Sequence, residues 1–494
     1  MDYQRKGASV QLGKRLAALS PEQQALFERK VKQKALHLSQ QDKIAFQQDR
    51  QRFPLSFAQK QLWFLSQLEP ESAAYNVPLS LWLKGNLDVP VLEQAFNALL
   101  QYQDILRTAF LYDESGEDDE PFQVVASSLT LPLPLIDLQY LPAEEREQAA
   151  TQLMREAVQQ PFDLAVRPLV RLLLLRIQPA SHVLLLCMHH ILCDGRSLHI
   201  AMAGVMAIYT ELVQGQASSL PKLPIQYGDY AVWQRNYLQG QTLSDLLRYW
   251  VEQMRDVPVL NLPYAHPHRS DALPKADKTR FELSPQTLIA MKAVCREEAV
   301  TLFMLLLACF QVLLWHYTRQ EKIVVGVSMN NRRQKEVQNL IGLFVNLLPL
   351  QTTFLDQSTF RETLQIVRRT CIDGYAHQDL PLEKLIQALP LKRLGSSMPL
   401  IQVAFDYQKG VSSLEENTLL QIEPFSDISA EQPRFDLTLR LSETTENILG
   451  ALEYNRSQFE EATIVQMARQ FTLLVDKLAH LPDMVLHEVS LLLA

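Results

Sequence analysis

Apolar positions along the chain switch between a helical and a strand-like period. The stretch "DVPVLEQAFNALLQYQDILRTAF" has apolar residues at helical spacing. Asp88 precedes it, and Pro90 falls in its first turn, so an amphipathic helix is predicted from near Asp88. Two short, continuous apolar runs follow later, "LVRLLLLRIQ" and "HVLLLCMHH", joined by the turn "PAS". They predict a β-hairpin in which residues 171–177 pair with residues 182–188. "LHIAMAGVMAIYTELVQG" then predicts a helix ending at Gly215, a residue type suited to the left-handed turn after a helix. Residues 299–317, "AVTLFMLLLACFQVLLWHY", are nearly long enough to cross a membrane. Thr301 and Gln311 interrupt the run and charges crowd both ends, which favours a buried helix in a large core.

The second half repeats this alternation. A helix ("LSDLLRYWVEQM"), a strand ("TRFELS"), the buried helix and a strand ("KIVVGVSM") are predicted first. Strand, helix and strand follow through "LLPLQTTF", "FRETLQIVRRTCIDGYAHQ" and "LIQVAFDYQ". The best linker between the halves is "QASSLPKLP", residues 216–224. The fold class expected is mixed α/β, with two lobes at 51–220 and 221–494. Residues 1–50 read as a separate helical leader and linker. Ser20 is placed as N-cap and Pro21 at the first helical position. A solvated helix with no task fits that leader equally well.

Composition narrows the partners. The 494 residues carry a formal net charge of −8, so there is no basic bias and nucleic acid is not expected. The leader alone is basic, with roughly twice as many basic as acidic side chains. The five cysteines are scattered, mostly in apolar runs, without a CxxC pair. That pattern suits buried thiols in a reducing, cytoplasmic setting. The first residues contain no apolar signal-peptide core, and no membrane association is expected.

The densest chemistry lies in "MHHILCDG", residues 188–195. The strand "VLLLCM" delivers His189 and His190 to its end, where the chain turns at Asp194 and Gly195. Neighbouring strand residues face opposite sides, so one imidazole is expected to face a cavity and the other to pack inward. No third ligand at an established spacing makes this a zinc pattern, so no metal is expected. The pair His266 and His268 flanks a proline and reads as loop decoration. A neutral imidazole can accept a proton or position an attacking nucleophile. Asp194 suits an anchor for the turn, and Gly195 allows close approach of backbone to a ligand. A hairpin end with core histidines remains the plain alternative.

The motif HHxxxDG resembles the signature of the condensation domains of nonribosomal peptide synthetases, within the wider chloramphenicol-acetyltransferase-like acyltransferases. Other stretches are similar to that family's motifs in order: residues 55–78 ("LSFAQKQLWFLSQLEPESAAYNVP"), 105–110 ("ILRTAF") and 227–234 ("YGDYAVWQ"). Residues 341–350 ("IGLFVNLLPL"), 377–385 ("HQDLPLEKL") and 398–408 ("MPLIQVAFDYQ") complete the series. The resemblance runs from about residue 51 to the end, and its wording is closest to the subtype joining L-configured donor and acceptor.

It implies two acetyltransferase-like lobes in a V-shaped pseudo-dimer with a central tunnel. Upstream and downstream peptidyl or acyl carrier proteins would dock on opposite faces, with an adenylation domain as a further partner. No cofactor would be bound by the chain itself, because the substrates arrive on 4'-phosphopantetheine arms. The amine on the downstream arm would attack the thioester on the upstream arm. By resemblance His190 is the working histidine, His189 and Asp194 are mainly structural, and Gly195 lies beside the reacting carbonyl. Ser56 and Gln59 of the first motif, Asn346 of the fifth and Arg196 are carried over as tunnel or substrate contacts.

The sequence departs from the family at Gln61, where an arginine usually stands that pairs with the aspartate corresponding to Asp194. A buried carboxylate without a cation costs several kcal/mol, and Arg196 is the substitute the sequence suggests. Cys193, Leu347, "YQD" at 102–104 and "KRLGSS" at 392–397 also depart. Neither an adenylation motif nor the LGGxS of a carrier is present. Besides amide formation between carrier-bound substrates, two readings stay open. One is an acyltransferase of the same fold that uses a free amine, an alcohol or coenzyme A. The other is a catalytically impaired relative that binds partners.

Overall fold

The computed structural model describes residues 43–47, 51–113, 120–216, 220–265, 275–390, 400–409, 419–426, 428 and 433–493. The leader helix, the His266/His268 pair and residues 392–397 lie outside them.

The described strands, in chain order, are β1 (Arg52–Pro54), β2 (Asn76–Lys84), β3 (Thr108–Leu111), β4 (Phe122–Val125), β5 (Leu135–Asp137), β6 (Val170–Gln178) and β7 (Ser181–His189). Then come β8 (Ala276–Leu283), β9 (Lys322–Met329), β10 (Asn346–Thr353), β11 (Val403–Lys409), β12 (Gln421–Pro424), β13 (Leu437–Glu443) and β14 (Ile448–Asn455). They form one sheet ordered β12-β2-β7-β6-β5, a second ordered β10-β9-β11-β13-β14-β8, and a small β1-β4-β3 sheet. Both large sheets are mixed: β5 lies parallel to β6, and β11 lies parallel to both β9 and β13.

The predicted hairpin forms, but one residue out of the expected register. Pairing residues 171–177 with 182–188 end to end would set Arg171 against Met188, which instead faces Val170. The slip arises because Ser181 joins the strand and leaves only residues 179–180 in the turn. Arg171 stands opposite Cys187 and Arg176 opposite His182, with an irregularity between Arg176 and Gln178. Strand β7 is flanked by β2 and β6, so both of its edges are bonded and its apolar run is buried. The helix predicted from Asp88 is Val89–Tyr102, and the Asp88 carboxylate accepts the Val91 N–H at 3.1 Å.

The apolar run in the second half forms the helix Leu302–Thr318. Thr301, read from sequence as an interruption, is its N-cap and accepts the Met304 N–H. Gln311 is fully buried but satisfied: its Nε2 donates to the Leu350 carbonyl and its Oε1 accepts from Thr352. The helix packs against the helices Glu461–His480 and Phe360–Ala376 and against β9. No single described helix is long and apolar enough to cross a membrane.

Two main cores account for most buried apolar side chains. One is built from residues between Ile44 and Tyr230, the other from residues between Leu238 and Val489. The chain passes from one to the other within the helix Tyr227–Tyr237, so residues 223–230 side with the first core. The second half returns two segments to the first core. Residues 337–344 supply Val337, Leu340, Ile341, Leu343 and Phe344, and β12 pairs with β2 while adding Leu420 and Ile422.

Candidate active site

His189 closes β7 opposite Asn76 of β2. The next residue starts a single 3-10 turn, His190–Leu192, because the His190 N–H donates to the Tyr75 carbonyl at 2.8 Å. The two histidines therefore leave the strand in different ways. His189 is buried, with its ring set against Tyr75 and Phe162, both centroids 6.3 Å away. Its Nδ1 accepts the Ile191 N–H at 3.2 Å, so it caps the turn and carries its proton on Nε2.

His190 is only half-buried. Its Nδ1 lies 2.5 Å from the Cys193 carbonyl, which can only accept. Nδ1 therefore holds the proton, and Nε2 keeps its lone pair for whatever occupies the space beyond. Burial pushes both imidazoles down to about 3. For His190 the positive charge of Arg434 adds to burial, against the Cys193 hydrogen bond. Both rings are neutral near pH 7.

Asp194 is the N-cap of the helix Gly195–Val213 and is fully buried. Its Oδ1 accepts from the Ser197 N–H at 2.8 Å and from Ser197 Oγ at 2.7 Å, and its Oδ2 from the Phe344 N–H at 3.2 Å. The cation is Arg332, whose Nη2 lies 3.1 Å from Oδ1 and 3.3 Å from Oδ2. Arg332 Nη1 also donates to the Val337 and Leu340 carbonyls, and its guanidinium stacks 4.1 Å from the Phe344 ring centroid.

This corrects the expectation placed on Arg196. That residue occupies the first turn of an exposed helix start and is itself exposed, whereas the Asp194 carboxylate folds inward beneath the turn. Gln61 sits half-buried on the helix Phe57–Leu68 and leaves the pairing to Arg332.

Ser56 and Gln59 are also corrected as substrate contacts, because both are fully buried with their polar atoms engaged inside the protein. They form a capping box at the start of the helix Phe57–Leu68. Gln59 Nε2 donates to the Ile191 carbonyl at 3.2 Å and so braces the histidine turn. Ser56 Oγ lies 2.9 Å from the Tyr227 hydroxyl, which donates to the Leu343 carbonyl at 2.6 Å. The Tyr227 ring packs so closely on Gly342 that a Cβ there would collide with it. Asn346 Nδ2 is engaged by the Gln378 and Leu380 carbonyls and Oδ1 by the Leu347 N–H, so its amide fixes the start of β10.

Gly195 is exposed, and a Cβ built on it meets nothing within 4 Å. Its φ is not positive, so the turn does not demand glycine. What the missing side chain provides is open space beside the first N–H groups of a helix. Sequence reasoning missed Arg332 and Arg434. Arg332 announces itself only as one of two arginines after a strand, 138 residues from its carboxylate. Among the described residues, no group of three or more His, Cys, Asp or Glu side chains could hold a metal ion.

This arrangement has known counterparts. The model of the condensation domain family matches residues 49–494, and the chain belongs to that family. Its members are the peptide-bond-forming domains of nonribosomal peptide synthetases. A linear gramicidin synthase of Brevibacillus parabrevis is 39% identical over 441 residues, 89% of this chain and 8% of the relative. Phosphinothricin tripeptide synthetase PhsC of Streptomyces viridochromogenes is 36% identical over 466 residues, 94% of this chain and 42% of the relative. The chain thus spans less than half of these curated, multidomain relatives. Among solved structures, the X-domain from teicoplanin biosynthesis in complex with OxyB aligns with a TM-score of 0.80 at 22% identity, covering 90% of this chain and 97% of that one. The first condensation domain of the calcium-dependent antibiotic synthetase aligns with a TM-score of 0.75 at 19% identity, covering 88% and 98%. These likenesses establish the fold, a chloramphenicol-acetyltransferase-like α/β architecture.

Proposed function

We propose that the chain joins an acyl group, held as a thioester on an upstream carrier protein, to an amine held on a downstream carrier. Both would arrive on 4'-phosphopantetheine arms in a tunnel between the two lobes. The observation that carries this reading is the tautomer of His190: its Nδ1–H is fixed to the Cys193 carbonyl, and Nε2 is left as an acceptor. Gly195 keeps open space beside that ring's turn.

In the reaction the amine nitrogen forms a bond to the thioester carbon, and the carbonyl π pair moves to oxygen. Collapse of that adduct breaks the C–S bond. The amine proton passes by way of His190 Nε2 to the departing thiolate, so no proton is gained or lost overall. An imidazole whose basicity is held this low is best suited to orient the N–H and relay its proton. Most of the acceleration then comes from holding two tethered reactants in contact.

His189 and Asp194 hold the turn, and the chain needs no cofactor of its own for this chemistry. The test incubates the protein with one loaded donor carrier and one loaded acceptor carrier and reads the acceptor by intact mass. The joined product is expected from the wild type and is expected to be lost in His190→Ala. Undiminished product in that variant overturns the assignment.

A further inference from the structure

The second core also sends one cation to the histidine turn. Arg434 lies just before β13. Its base is fixed: the Asp436 N–H donates to the Gln402 carbonyl at 3.0 Å, and the buried Asp436 carboxylate accepts the Tyr264 hydroxyl at 2.6 Å. Phe435, between them, packs on the second core. From this base the Arg434 side chain crosses to the first half. Its guanidinium carbon stands 5.4 Å from the centroid of Tyr75. The Tyr75 carbonyl is the acceptor that starts the His190 turn, and the Tyr75 ring faces His189. Arg434 is nevertheless exposed. The cation is thus seated on the residue whose carbonyl holds the histidine turn. Its charge reaches both imidazoles and the Cys193 thiol, in each case after the larger effect of burial.

We propose that Arg434 is the cation that stabilises the oxyanion of the tetrahedral adduct, supplied by the second half of the chain to the histidine supplied by the first. This rests on the condensation reading above and adds a group to it. As the amine attacks, negative charge develops on the former carbonyl oxygen. A guanidinium fixed before the reaction begins favours that state over the neutral thioester and the neutral amide. When the C–S bond breaks, the charge leaves with the thiolate and is quenched by the relayed proton.

The test measures binding by calorimetry of two pantetheine-linked analogues. One is a phosphonamidate whose anionic oxygen stands for the oxyanion, and the other is the neutral amide. Wild type is expected to prefer the anion. Arg434→Met is expected to lose about 10²-fold or more for the anion and little for the amide. Arg434→Lys, which keeps the charge without the fork, is expected to fall between them. In Arg434→Ala, added guanidinium is expected to restore part of the product formation, which a purely structural loss would not allow. Equal affinity of Arg434→Met and wild type for the phosphonamidate overturns the proposal, as does a wild type that does not prefer the anion. A wild type that binds the anion through Arg434 yet joins no loaded carriers leaves the anion site standing and removes the condensation reading instead.

Discussion

The motif turn has two sides that are built on opposite terms. On the anchor side, Asp194 has no exposed surface, and every group it meets is held in turn by something else. Arg332 reaches it with three further hydrogen bonds of its own, and Ser197 Oγ also contacts the Gly342 backbone. On the working side, His190 has one fixed nitrogen and one open one, Gly195 has no side chain, and Arg434 is exposed. The same eight residues thus border a region whose carboxylate is fully engaged from within and a region left open beside Gly195.

The largest effect is expected from removing the anchor's cation. Arg332→Met should cost about 3–5 kcal/mol in urea denaturation, since it strands a buried carboxylate. Pairing it with Asp194→Asn should recover part of the loss. His190→Ala should do the reverse, lowering product formation by about 10²–10⁴-fold while changing stability by no more than about 1 kcal/mol. If His190→Ala unfolds the protein, or Arg332→Met leaves it as stable as before, the division between anchor and working side fails.

Acid should reveal the turn as a whole. Folded His189 and His190 take up protons only near pH 3, whereas unfolded histidines do so below about 6.5. Between those values the unfolded state binds more protons, so stability falls as pH drops from about 6.5 toward 3. Thermal melts from pH 7 to pH 5 should show this loss, and a flatter slope is expected in His190→Ala.

A second carboxylate sharpens the contrast. Glu383 Oε2 is buried without a hydrogen-bond partner, and burial pushes the group up to about 7. Unfolded, it ionises above about 4.3, so its stability contribution is lost as pH rises from there through 7. Glu383→Gln should raise the melting temperature most at pH 8, and by progressively less as the pH is lowered toward 4. The smallest effect is expected from Gln61→Arg. With Asp194 already paired to Arg332, turnover should stay within about twofold of wild type, and a large gain would show that the pairing is incomplete.

Local features were legible in the sequence, and contacts across the chain were not. The hairpin itself followed from two apolar runs, but its register slipped by one residue because Ser181, read as part of the turn, belongs to the strand. The cap at Asp88 followed from one aspartate before a helical pattern. The strand argument also separated the two histidines, although the structure does so through a turn that begins at His190. Thr301 was readable but its role was inverted, because a polar residue at the edge of an apolar run is either a blemish or a cap. Arg196 was suggested and Arg332 missed because sequence proximity is the only distance a sequence shows. Ser56 and Gln59 sit in a conspicuous motif, but what makes them indispensable is the shape of the turn they brace, a tertiary fact.

The strand β12 carries a practical consequence. It comes from the far half of the chain yet covers the outer side of β2, the strand that holds His189 in register. Chimaeras cut at the helix Tyr227–Tyr237, where the cores separate, would leave β2 with a bare row of amides and carbonyls, ready to capture a neighbouring molecule. A graft of the first lobe onto another scaffold must therefore bring residues 419–426 with it, and recombination schemes that follow the linear order of the sequence will split what the sheet has joined.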